Sequence, residues 1–532
     1  MDTPTEPLQV GQEGGIRSEY QSMSTLRQVY LDRARLNSTL TIPSLIPPDT
    51  SRNSGQKLPQ PPHSIGARGV NNLSAKLLIS LLPSNTPVFR MVVDDFDAQK
   101  IMEAMGKQGQ GEIQKALSKI ERAAMTDIDS IGARAPIGLA LKHLLVAGNY
   151  LLFMDPDTGQ IRGYPLSHYV IQRDTMGNLM KIITEETVAV SSLPANIQQA
   201  YKLEKTIKGE KEDSEVIAHT KVVKLADGRW QMSHEVCGVE LTDKGGFYMA
   251  DRMPYIALRL TPVEGEDYGR SMIEDVWGDL VSANNLRDAL VKFAKAAAKV
   301  LFLVKPNASS KPRVLTAAQA GDFVTGNPDD ITVLMLDKRQ DFAVAQQVLQ
   351  DVTRSLEFSF LLQSAASRDA ERVTAEEVRQ IIQELDAGLG GMHAALSADL
   401  QLPFVKILLW RMEKKGKIKL PKEIKPAIVT GIAALGRGQD RANLASAFAD
   451  ISQLGQLPPE ILGRINLDEM IARVFASNNV DQNGLIKSQM EVDAENQEGM
   501  LTSLMQNAAP GMAQELTKGA VQGQLQENTQ QG

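Results

Sequence analysis

The sequence predicts an α+β protein of several structural units, and three observations predict it. Apolar residues recur at helical spacing through the first third and again after residue 271. Between residues 149 and 260 they give way to short β-rich runs separated by turn residues. Residues 300–339 then read as strand, loop, short helix, loop and strand, a compact insert flanked by two helical stretches like the legs of a hairpin. A length of 532 residues accommodates about three or four domains. With 42% apolar and 23% charged residues, wholesale disorder is excluded.

Taken in order, residues 1–20 are rich in Gly, Glu, Pro and Thr and are expected to be disordered. Residues 25–37 have helical spacing, and a stretch rich in Pro and Ser follows over 43–62. Ile65, Leu73, Leu77, Leu78 and Leu81 then predict a helix that Pro83 and Pro87 end. Two more helices are expected over 111–132 and 136–148. The strands that follow include YLLFMD, QIRGYPL, HYVIQRD, KIITEETVAV and PYIALRL, mostly antiparallel, with a polar insertion over 202–215.

Ser271 and Glu274 form an S-x-x-E capping box, the best-marked boundary in the chain. The helix it opens carries Ile273, Trp277, Leu280, Leu290 and Phe293, and beyond the insert a second helix runs from Asp341 to about Leu362. A short polar segment, 363–373, leads to a second box made by Thr374 and Glu377. Its long helix is interrupted at Gly388, Gly390 and Gly391 and again at Pro403, which predicts a bend. Helical pieces are expected after Pro426, and from about Met490 the chain is rich in Gln, Gly, Met and Asn.

Chemistry is sparse. A net charge of -7 has the wrong sign for a surface that grips nucleic acid throughout. Cys237 is the single cysteine, so no intrachain disulfide and no cysteine-based zinc site is available. Gly106-Lys107 and Gly416-Lys417 are not followed by Ser or Thr, so no phosphate-cradling loop occurs, and neither G-x-S-x-G nor H-E-x-x-H is present. His219, His234 and Cys237 have ligand-like spacing, but an ordinary β-surface pair is the favoured reading. The run 406–425 holds eight Lys or Arg and two Glu; a solvated helix end with Trp410 in the core is favoured over a phosphate-binding patch. The chain is therefore expected to be no enzyme and to use no metal or cofactor. No segment reaches 18 apolar residues, and the acidic N-terminus lacks the regions of a signal peptide, so no membrane partner is expected.

Several blocks carry a resemblance: GARGVNNLSAKLLISLL (66–82), LVAGNYLLF (145–153), YVIQRDTMGN (169–178), GEDYGRSMIEDVWGDL (265–280), LTAAQAGDFVTGNPDDI (315–331), ERVTAEEVR (371–379) and LGRGQD (435–440). With the order of elements, they resemble the portal, or head-to-tail connector, proteins of short-tailed, podovirus-type bacteriophages. Residues 1–20, 191–250 and 485–532 carry no such block.

The resemblance implies a portal-type fold and a homododecameric ring at one capsid vertex, through which double-stranded DNA enters and leaves. On this chain it implies a wing (21–268 and 376–435), two stem helices (269–299 and 340–363), a clip (300–339), a tunnel segment (364–375), a crown (436–489) and a Gln-rich tail (490–532). Arg368, Asp369, Glu371 and Arg372 become candidates for contact with passing DNA, Ser271 and Glu274 cap the stem start, and Thr374 and Glu377 cap the wing helix. Implied partners are the terminase large subunit, tail adaptor or gatekeeper proteins, major capsid and scaffolding proteins and internal core proteins, in a virion assembled in the host bacterial cytoplasm. The alternatives are another structural virion protein, such as a tail or scaffold component, and, further off, a nucleic-acid enzyme.

Overall fold

The computed structural model describes residues 15–48, 58–83, 88–92, 116–193, 214–236, 239–297, 301–307, 311–319, 321–334, 339–362, 380–385, 391–418 and 427–430, with Gly388 and five positions between 198 and 205. Contacts divide the chain between Leu435 and Gly436, and every described residue lies in the first unit.

The opening helix, α1 (Ile16–Leu40), starts well before residue 25. Residues 16–20, expected to be disordered, form its first turn because Ile16 and Tyr20, one turn apart, bury against Val170 and Ile183. The Glu235 carboxylate accepts from the Arg17 backbone N–H at 3.3 Å, placing negative charge at the helix N-terminus. Further along, the Arg27 guanidinium is buried, donating to the Tyr20 hydroxyl and to the carbonyls of Ser167 and Tyr169, each at 3.0 Å.

The main core is helical. In α2 (Ile65–Leu81), Leu73, Leu77 and Leu81 stack at one-turn intervals. They share a cluster with α3 (116–130) and with Ile137, Leu141 and Leu144 of α4 (Arg134–Ala147). Between α2 and α3 lies a short strand, β1 (Phe89–Val92). Gly148 ends α4 at φ 75°, and a Cβ there would come within 2.6 Å of the Arg270 backbone, so only glycine suits this turn.

The β-region is antiparallel, as its alternating runs predict. One sheet has the order β3-β2-β9, from β2 (Asn149–Met154), β3 (Ile161–Tyr164) and β9 (Tyr255–Arg259). The other is a five-stranded meander of β4 (Tyr169–Arg173), β5 (Leu179–Ala189), β6 (Glu215–Lys224), β7 (Trp230–Val236) and β8 (Val239–Tyr248). Register places His219 opposite Glu235 and His234 opposite Thr220. The two histidines therefore project from opposite faces of the sheet and cannot share a metal.

After the capping box comes a single turn, α5 (Met272–Asp275), then a break at Val276 and α6 (Trp277–Ala297). The insert holds β10 (Leu301–Val304), α7 (Pro312–Ala317) and β11 (Ile331–Leu334), with β10 and β11 antiparallel. The return helix is α8 (Arg339–Ser359). The later helical stretch is broken at both expected places. Residues 380–385 form α9, Gly391 takes φ 85° before α10 (Met392–Leu396), and a π-helical turn over Ser397–Gln401 precedes α11 (Leu402–Lys414). Pro403 accounts for that turn, since it has no N–H to donate to the Asp399 carbonyl. Residues 427–430, in a region expected to be helical, form a strand instead, β12 (Ala427–Thr430), which pairs antiparallel with β1. Its β-branched AIVT sequence suits the partner edge that β1 supplies.

Candidate functional site

Two junctions fix the helix pair α6–α8 to the body. At the first, the Ser271 hydroxyl accepts from the Ile273 N–H at 3.0 Å while Glu274 accepts from the Ser271 N–H at 3.2 Å, so both halves of the capping box form. The same hydroxyl accepts from Asn37 Nδ2 of α1 at 3.1 Å, and that amide also donates to the Val146 carbonyl at 3.2 Å. Arg33 and Arg270 each lie 3.6 Å from the Glu274 carboxylate. The cap thus joins α1, α4 and the start of the pair, which the sequence shows only as a cap. Ser271→Ala is expected to cost about 1–2 kcal/mol, since a cap bond and an acceptor for Asn37 are lost together. Thermal denaturation of this variant beside Asn37→Ala checks it, and the two losses should not add.

At the second junction, Phe360 just beyond α8 is buried in a notch of α2 made by Gly69, where a Cβ would overlap the Phe360 ring. Asn72 Nδ2 donates to the carbonyls of Phe360 at 3.2 Å and Leu361 at 3.1 Å, closing the C-terminus of the helix. Leu361 has φ 50°, in the left-handed region that disfavours a leucine, and these partners hold it there. Lys76 is buried, and its ammonium donates to the Leu361 carbonyl at 2.9 Å and pairs with Glu384 of α9 at 3.1 Å. One lysine of α2 therefore grips the chain on both sides of the polar segment 364–375.

That segment, with Arg368, Asp369, Glu371 and Arg372, lies outside the described residues, as do Thr374 and Glu377 and also Cys237. Lys76, Asn72 and Gly69 were not singled out from the sequence. Their signal is a polar pair four residues apart in a largely apolar helix, with a glycine one turn before it.

Beyond the junctions, the described residues of the pair mainly meet each other. Phe293 and Phe342 contact at 5.3 Å between ring centres, and Ser355 Oγ donates to Asp279 at 3.1 Å. In α6 the described residues from Val291 onward are exposed except Phe293. At the far end of the pair, the Lys305 N–H donates to the Asp330 carbonyl at 3.1 Å, and Phe323 is fully exposed in the loop between α7 and β11.

Within the basic run, three cations pair with carboxylates of this chain, and Arg411 is buried where the sequence predicts a solvated helix end. Arg411 is buried in an ion pair with Asp127, Lys417 reaches the same carboxylate at 2.6 Å, and Lys414 meets Asp157 at 2.6 Å. Burial opposes ionisation of Asp127, but the Lys417 and Arg411 hydrogen bonds outweigh it and hold the carboxyl below its ordinary range. Trp410 packs on the core and sits edge-on to Tyr248 at 6.3 Å. Residues 419–425 of the run lie outside the described residues.

His143 is stacked on Tyr150 at 4.7 Å, and burial pushes its pKa down to about 4, so it is a neutral core residue. Among the described residues, no three His, Cys, Asp or Glu side chains are grouped to hold a metal ion, and no helix is long and apolar enough to cross a membrane.

Residues 13–486 match the family model described as bacteriophage head to tail connecting protein. The portal protein of Escherichia phage T7 is 37% identical over 513 residues, covering 94% of each chain. The portal protein of Enterobacteria phage T3 is 36% identical over 506 residues, covering 93% of this chain and 92% of its own. Among solved structures, a chain from the neck of an empty gene transfer agent particle is 11% identical, over 74% of this chain and 87% of that one, with a TM-score of 0.33.

Proposed function

This chain belongs to the bacteriophage head-to-tail connecting proteins, and from that membership we propose that about twelve copies close into a ring at one capsid vertex, the conduit for packaging and ejecting double-stranded DNA. The observation that carries the ring is the helix pair α6–α8, which leaves Val291, Val344, Val348 and Phe358 exposed beside its buried seam. A second copy is what covers such surface on a cytosolic assembly. In this reading the pair is the stem, the β10–β11 insert is the clip, and 21–268 with 376–435 is the wing, to which the first turn of α1 from Ile16 is added. The clip faces the terminase large subunit during filling and tail adaptor or gatekeeper proteins afterwards. Residues 436–489 form a crown inside the capsid, near internal core proteins, and the wing meets capsid and scaffolding proteins. The chain acts as a conduit rather than a catalyst, and copies that each carry a net charge of -7 offer DNA little retention.

The segment 364–375 is the tunnel rim, held on both flanks by Lys76. Arg368 and Arg372 touch phosphates in passing, while Asp369 and Glu371 prevent lasting attachment. Replacing both arginines with alanine is expected to leave rings intact and to alter translocation or retention of DNA in an in vitro packaging reaction. A double variant that packages, retains and ejects DNA at the parental rates overturns this contact and leaves the ring standing.

A further inference from the structure

We infer that the ring is built from two unlike faces of the helix pair α6–α8: a valine stripe on one copy seats in an apolar groove, lined also by arginines, on the next. This deepens the ring reading and rests on it.

The groove lies between α6 and α8 and encloses about 600 Å³. Leu290, Val291, Phe342 and Leu349 line it, together with the exposed Arg287 and Arg354. Val344, Val348 and Phe358 are 62%, 45% and 70% exposed. At 100° per residue these three positions fall within about 80° of one another on α8, so they form a single stripe. The six groove-lining positions of α8, Phe342, Gln346, Leu349, Gln350, Thr353 and Arg354, centre about 160° away, on the other side of the same helix. Stripe and groove also match in length, about 21 Å for the fourteen steps from Val344 to Phe358 and about 18 Å for the twelve steps from Phe342 to Arg354.

Charge selects the pairing. Asp351 lies within the stripe, and Asp279 is beside it through the bond from Ser355. The companion of Asp351 within the chain is Arg354 at 3.8 Å, with both side chains more than 60% exposed. Such a pair is weak and open to exchange. Stripe against stripe would bring Asp351 onto its own copy, and groove against groove would oppose arginines. Stripe in groove joins acid to base and valines to an apolar lining. The occupant of the groove is therefore a second copy of this chain, in a head-to-tail contact.

The angle also bears on ring size. In a cyclic assembly whose helix pairs run along the axis, the two contact directions differ by 180° less 360° divided by the number of copies. Twelve copies need about 150°, whereas three or four need about 60° to 90°. Nearly opposite faces therefore suit a large ring.

Two full-length variants test the inference, one carrying Val344→Asp with Val348→Asp on the stripe, the other Val291→Arg in the groove. Each keeps one intact face. In analytical ultracentrifugation at tens of micromolar, each alone is expected to lose the ring and sediment as a monomer, with parental circular dichroism. Mixed in equal amounts, they are expected to form a dimer and stop there, since the outer faces of that dimer are the two altered ones. Conservative replacements, Val348→Ile and Val291→Ile, keep the ring. Rings from either altered variant alone, a dimer of one variant by itself, or a mixture that stays monomeric while both components are folded overturns the pairing. A parental protein that forms no ring fails earlier and overturns the reading beneath it.

Discussion

Asp127→Ala is expected to lower stability by about 3–5 kcal/mol, because it leaves the Arg411 guanidinium buried without a counter-charge. Both side chains are at most 4% exposed, and Arg411 also fills the space over Gly159, where a Cβ would overlap it. Pair and glycine together fasten α3 and α11 to the β2–β3 turn. Asp127→Leu combined with Arg411→Met is expected to recover most of the loss, since a well-packed apolar pair removes the desolvation cost along with the attraction. Urea denaturation followed by tryptophan fluorescence, with Trp410 next to the pair, checks both. The pH dependence follows from the lowered Asp127 pKa. The contribution of the pair is fully present above the unfolded value near 3.8 and is lost as pH falls through the folded value. The gap between parent and Asp127→Ala should therefore be constant near neutrality and shrink below about pH 4.

Phe360→Ala is expected to cost about 3–5 kcal/mol through the cavity it opens against α2. Its second consequence is more specific. With the ring gone, the turn at Leu361 loses its packing, and the hydrogen bonds from Asn72 and Lys76 are all that hold it. Amide hydrogen exchange is expected to quicken together at 356–362 and 380–385, since Lys76 links Leu361 to Glu384. Faster exchange confined to α8 would show that the two flanks of the tunnel segment are not coupled. Phe360→Leu retains most of the volume and should be much milder.

What could be read in advance follows from how local each signal is. The capping box at Ser271, the helix from Ile65 and the strand, helix, strand insert depend on neighbours within a few residues, and all appear where the sequence puts them. The start of α1 was hidden because Ile16 and Tyr20 bury against Val170 and Ile183, about 150 residues on. Strand β12 was hidden for the same reason, since its partner Phe89–Val92 is more than three hundred residues away. Arg411 reads as one charge among eight in a basic run until folding brings Asp127 to it. In the same way, Lys76 looks like an interruption of an apolar helix, and its role emerges only when two later segments arrive beside it. The Val276 break was not visible, since Ile273, Trp277 and Leu280 keep helical spacing across it.

The ring itself is tested most directly by native mass spectrometry of the purified full-length protein at micromolar concentration, with electron microscopy of the same sample. Each subunit contributes 58.1 kDa. The expected result is a closed species of about twelve copies, near 700 kDa, seen as annuli with a central hole. A stable species of 58.1 kDa with no annuli in the images would contradict the account.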